Sequence, residues 1–142
     1  MVNQVADSVL VVEDNQEMQD LLKVLLEHAS YSVTSASKGS DALKILKSTS
    51  EFSLILLDMT LADMGWRTFL EKLNDEGLGK DIPIVFCSAA PEIERMKLPF
   101  GVVGVIRKPF VIKDFLQKTA MFKRTVEPRP RQNSSEITAG MH

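Results

Sequence analysis

Ser53-Leu54-Ile55-Leu56-Leu57-Asp58-Met59 runs through four aliphatic residues and ends on one carboxylate. An apolar run with no polar alternation fits a strand buried on both faces, as in a parallel sheet. The carboxylate then emerges at the strand's C-terminal end, where open α/β sheets place their chemistry. Two other runs end in the same way. Val9-Leu10-Val11-Val12 leads into Glu13-Asp14, and Ile84-Val85-Phe86-Cys87 leads into Ser88.

Around these runs the apolar spacing changes from two to about three and a half residues. Ser8 to Val12 is predicted as the first strand. Asn15 can cap a helix over 16–28, in which Met18, Leu21, Leu22, Leu25 and Leu26 share a face and His28 favours the C-terminal dipole. Tyr31 to Ser35 alternates like a half-buried edge strand. Gly39-Ser40 is expected to break the chain and cap a second helix with Ala42, Leu43 and Leu46 inside. After Asp58, residues 60–64 form a loop. Gly65 opens a third helix on which Trp66, Phe69, Leu70 and Leu73 pack. Asn74 to Lys80 reads as a turn region. Residues 91–100 are bracketed by Pro91 and Pro99 and hold at most two helical turns, over 92–98. Gly101 to Ile106 is the fifth strand, and Ile112, Phe115, Leu116, Thr119 and Phe122 mark a last helix ending near Arg124.

Strand and helix alternate five times, without an internal repeat. Right-handed crossovers turn that pattern into a flavodoxin-like, doubly wound α/β sheet of five parallel strands in the order 2-1-3-4-5, with helices on both faces. Residues 1–124 are expected to form this one domain. Residues 125–142 have two prolines and no periodicity, and read as a flexible tail.

The chain of 142 residues is 44% hydrophobic and 25% charged, with a net charge of −2, which fits a soluble domain with a full core. Such a balance gives no reason to expect a nucleic-acid or membrane surface. The apolar runs are too short to span a bilayer, and the first eight residues do not resemble a signal peptide. The lone Cys87 cannot form an internal disulfide and reads as a small buried strand residue. The chain is therefore expected to be cytoplasmic.

In the order 2-1-3-4-5 the first and third strands are neighbours, so Glu13, Asp14 and Asp58 converge. Like charges this close need a cation. Oxygen ligands with room for water suit Mg²⁺, with Asp14 and Asp58 direct, Glu13 through water and the Thr60 backbone carbonyl as a further ligand. Lys108 brings an ammonium from the fifth strand that can pair with Asp58 at rest, and Ser88 brings a hydroxyl from the fourth. Metal, ammonium and hydroxyl around one carboxylate are the parts that phosphoryl transfer requires. Asp58 is then the phosphoacceptor and forms an aspartyl phosphate.

The pieces VLVVEDN (9–15), LILLDM (54–59), PIVFCSA (83–89) and GVVGVIRKPF (101–110) resemble response-regulator receiver domains of two-component signalling, over residues 8–124. The resemblance implies Asp58 as phosphoacceptor, Glu13 and Asp14 as the metal acids, Ser88 as the switch hydroxyl, Lys108 as the phosphate-contacting lysine, and a cis peptide before Pro109. It implies a sensor histidine kinase or phosphotransfer protein as donor. It also implies a signalling protein rather than an enzyme, with only Mg²⁺-dependent self-phosphorylation and self-dephosphorylation. No helix-turn-helix pattern or basic patch follows. The signal is expected to leave by contact with an unknown downstream protein, unless the tail leads to a domain outside this chain.

The sequence departs from that resemblance at three places. Ala62 stands where these domains usually have proline, and Gly65 comes early, so the loop is expected to be more mobile. Val105 replaces a usual aromatic residue, so a ring cannot swing inward as the readout. The segment 91–100 is short where a full helix is usual, which changes the usual partner face. Thr60 and Ala90 are neither acidic nor amide-bearing, and slow self-dephosphorylation is expected. Among other readings, a haloacid-dehalogenase-like phosphatase would need a second aspartate where Thr60 stands. A flavin carrier would need an anion cradle where Glu13-Asp14 stands. A receiver-shaped binding module independent of phosphate is the main alternative.

Overall fold

The computed structural model describes residues 7–126; the expected tail, from 127 onward, lies outside them. Five parallel strands form one sheet in the order β2-β1-β3-β4-β5. They are β1 (Ser8–Val12), β2 (Ser32–Ala36), β3 (Leu54–Leu57), β4 (Ile84–Ser88) and β5 (Val102–Arg107). The helices are α1 (Gln16–His28), α2 (Gly39–Ser48), α3 (Trp66–Glu76) and α4 (Ile112–Phe122).

Strand periodicity divides the core in two. Val9, Val11, Leu54, Leu56, Val85, Cys87 and Ile106 face Leu22 and Leu26 of α1 and Phe115 of α4. Leu10, Val12, Ile55, Leu57, Ile84 and Phe86 face Ala42, Leu43 and Leu46 of α2 and Phe69 and Leu73 of α3. Every residue of β3 is buried, because a helix layer covers each face of the central strand. The registers Val12↔Leu57 and Ser88↔Arg107 bring the C-terminal ends of neighbouring strands level, so the residues that follow them open on one edge.

Asn15 caps α1 as expected, its Oδ1 accepting the Met18 amide at 2.8 Å. Three expectations are corrected. Gly39 and Ser40 lie inside α2 and do not cap it; Lys38 at the cap position makes no side-chain bond, and Asp63 from the β3–α3 loop accepts the amides of Gly39 and Ser40. The turn region starts later than Asn74, because α3 continues to Glu76 and ends where Gly77 takes φ +65°. The segment 91–100 keeps within the expected limit of two helical turns, but its one 3₁₀ turn spans Pro91–Glu94 and not 92–98. Ile93 is buried there, and Met96 and Leu98, two residues apart, both pack on the core as an extended segment does. Strands β2 and β5 each begin one residue later than expected.

Gly104 in β5 makes room for a ring. A Cβ there would fall 2.2 Å from Cζ of Phe122, so the last residue of α4 lies directly on the strand backbone. Beyond it, the Arg124 amide donates to Ser53 O at 2.9 Å, and its guanidinium bonds Phe52 O and Ser50 O at 3.0 and 2.8 Å. Lys123 pairs with Asp7, and the Ser53 hydroxyl also donates to Asp7. These contacts fasten the end of α4 to the N-terminal edge of the sheet.

Candidate acidic site at the strand ends

Asp58 follows β3 and is buried. Its two oxygens have different surroundings. Oδ1 accepts from the Thr60 amide and the Thr60 hydroxyl, each at 3.1 Å, and from the Ser88 hydroxyl at 3.0 Å. Oδ2 faces the Lys108 ammonium at 3.6 Å. Burial alone would raise the Asp58 pKa, but Lys108 and the donors from Thr60 and Ser88 outweigh it and hold the carboxyl below the usual aspartate value.

Glu13 follows β1 and is only 2% exposed. It accepts the Asn15 amide at 3.1 Å and binds Lys108 at 2.5 Å. Burial pushes its carboxyl above the usual range; Lys108 pulls it down and Asp58 adds to the rise. Lys108 thus lies nearer Glu13 than Asp58. Burial would lower the lysine pKa, yet the Glu13 bond and the two carboxylates raise it. The peptide bond from Lys108 to Pro109 is cis.

Asp14 is exposed, and its Oδ2 accepts the Ala62 amide at 3.0 Å. The Ser88 hydroxyl also accepts the Ala90 amide at 3.3 Å. Thr60 meets Asp58 through its amide and hydroxyl. The structure therefore brings Glu13, Asp14, Asp58, Thr60, Ser88 and Lys108 to one cleft.

Sequence reasoning passed over Asp63 and Gln19. The Gln19 carboxamide donates to Glu13 O at 3.0 Å and so steadies the turn after β1. Asp63 is slightly desolvated, which raises its pKa, but the amides of Gly39 and Ser40 hold it below the usual value. Neither residue stands in a motif; Gln19 acts six residues back, and Asp63 acts on an element distant in sequence. Val105 is half-buried against the α2–α3 face.

One oxygen from each of Glu13, Asp14 and Asp58 lies within 4.8 Å of the other two. An all-oxygen set, with two acids buried and one open to water, fits a hard divalent cation. The Lys108 ammonium already balances part of this charge, and among the described residues no buried side-chain polar atom lacks a partner. The site thus offers three carboxylates, one of them open to water, to such a cation.

A family model described as the response regulator receiver domain matches residues 9–120. The transcriptional regulatory protein CssR of Bacillus subtilis is 32% identical over 95% of this chain and 60% of its own length. The chain spans about half the length of the curated relatives it matches. A CheY-like receiver domain protein from Methanospirillum hungatei has a solved structure that is 30% identical, with TM-score 0.72, over 81% of this chain and 92% of that one. The fold also matches the receiver domain of the sensor histidine kinase PA1611 of Pseudomonas aeruginosa, solved with a magnesium ion in its active-site cleft. That match is 21% identical, with TM-score 0.73, over 83% of this chain and 98% of that one.

Proposed function

Because the chain belongs to the response regulator receiver family, we propose that it takes a phosphoryl group onto Asp58 and passes the signal on by protein contact. The observation that carries this is the asymmetry of Asp58: Oδ1 accepts from three donors, while Oδ2 faces the Lys108 ammonium at 3.6 Å. Oδ2 is then the oxygen that attacks. Its lone pair forms the O–P bond as the P–N bond of a phosphohistidine breaks, and the leaving imidazole keeps that electron pair. The donor is a histidine kinase or a phosphotransfer protein.

Glu13, Asp14, Asp58 and the Thr60 carbonyl would hold Mg²⁺, which supplies positive charge for the phosphoryl oxygens. Lys108 moves from the Glu13–Asp58 side toward the transferred group and neutralises one of its oxygens. The Ser88 hydroxyl, released from Oδ1, donates to another. Thr60 and Ala90 carry no carboxylate or amide side chain to orient water, so self-dephosphorylation is slow. The chain acts as a signalling protein and not as a turnover enzyme.

Residues 1–124 form the receiver unit in this reading, and its working place is the cytoplasm. Among the described residues, no helix is long and apolar enough to cross a membrane. The net charge of −2 speaks only for these 142 residues; the relative CssR is named a transcriptional regulatory protein and extends beyond the part matched here.

Incubation with Mg²⁺ and a small phosphodonor, followed by intact-protein mass spectrometry, tests the proposal. The wild type is expected to gain one phosphoryl group and Asp58→Asn none. No gain on the wild type would favour a binding module that works without phosphate. A phosphoryl half-life of seconds would overturn the slow hydrolysis.

A further inference from the structure

The loop from Thr60 to Gly65 joins β3 to α3 and carries the alanine at 62 and the early glycine. It was expected to be loosely held, yet the structure ties it at four points. Thr60 bonds Asp58 twice. The Ala62 amide donates to Asp14 at 3.0 Å. Asp63 accepts the Gly39 amide at 2.9 Å and the Ser40 amide at 3.1 Å. Met64 lies over Gly39, where a Cβ would fall 2.7 Å from Met64 Cγ. The first two ties end on acids of the cleft, and the last two end on the first turn of α2. A proline at 62 would have no amide to give Asp14. The alanine therefore adds a donor to the cleft, and that donor is only as well placed as the loop that carries it.

We infer that Asp63 is a positioning residue for the acidic cleft: by clamping the loop to α2 it fixes the Ala62 amide on Asp14 and the Thr60 donors on Asp58. This rests on the phosphoacceptor reading above. Asp14 is exposed, so burial does not select its rotamer; the Ala62 amide does. Cation sites of this kind need their oxygens held to within a fraction of an ångström, and residues behind the ligands supply that precision. Lys38 offers α2 no cap of its own. The bond that closes the helix end is therefore the same bond that anchors the loop.

The two roles of Asp63 separate experimentally. Amide hydrogen exchange by NMR in the metal-free protein reads the clamp, and calorimetry with Mg²⁺ reads the cleft. Asp63→Ala is expected to speed exchange at Gly39, Ser40 and Ala62 and to weaken Mg²⁺ binding about tenfold. Asp63→Asn, whose carboxamide oxygen still accepts at a helix start, is expected to restore most of both. The double variant K38S/D63A gives α2 a local serine cap and guards against loss of the helix. In it the Ser40 amide, at the second helical position, is expected to recover, while Ala62 stays fast-exchanging and Mg²⁺ binding stays weak. Recovery of Ala62 protection and Mg²⁺ affinity in K38S/D63A would overturn the inference, leaving Asp63 a helix cap only. So would wild-type values of both in D63A. If the wild type itself binds no Mg²⁺, the phosphoacceptor reading fails, while the Ala62 exchange measurement still decides whether the clamp exists.

Discussion

Asp58 shows how much one side chain's setting does. Ser88→Ala removes one of the three donors on Oδ1 and leaves both Thr60 donors. In the proposed transfer the same hydroxyl donates to a phosphoryl oxygen, and a hydrogen bond to a charged group is worth about 1.5 kcal/mol or more, so phosphoryl uptake is expected to slow about tenfold; the lost donor on Oδ1 raises the Asp58 pKa in carboxyl NMR titrations. Cys87, one residue earlier, points to the other face, into the α1–α4 core. Burial pushes its thiol up to about 12 from an ordinary 9.0. Between those values the folded chain keeps a proton that the unfolded chain has lost, so stability falls as pH rises, by about 4 kcal/mol once pH passes 12. The measurable counterpart at neutral pH is that Cys87 resists alkylating reagents until the protein unfolds. The cleft residues were legible in the sequence because each ends an apolar run, and strand order alone brings such ends together. Asp63 was not legible, because its partners stand 24 and 23 positions earlier with no motif to link them.

Strands and long helices were read with small errors, and each error has a cause. Helix starts were misjudged where the cap came from elsewhere: α2 borrows Asp63, while α1 carries its own Asn15 and was placed correctly. After β4 the bracketing prolines allow at most two helical turns, and the chain uses one 3₁₀ turn, with Met96 and Leu98 beyond it packing on the core. The contact between α4 and β5 was also hidden, since a glycine in a strand does not say what fills the space above it. Gly104→Ala must displace the Phe122 ring, and overpacking of this kind costs about 2 kcal/mol. Pairing it with Phe122→Leu is expected to recover most of that loss, and a double-mutant cycle in urea would measure the coupling.

For the whole molecule, the two edges of the sheet carry different tasks. The C-terminal edge gathers the acids. The N-terminal edge is closed by Lys123 on Asp7 and by Arg124 on the carbonyls of Ser50, Phe52 and Ser53. A chain ending at Phe122 loses these bonds and is expected to melt roughly 5–10 °C lower than one ending at Val126. Mg²⁺ at a hundred times its dissociation constant should add about 2.7 kcal/mol to stability in the wild type. The gain should shrink in Asp14→Ala. Whatever is joined beyond Val126 starts from the pole opposite the cleft, a strand's length of roughly 15–20 Å away. The end of α4 and the acidic cleft thus lie at opposite poles of the sheet, and a contact made at one pole leaves the other uncovered.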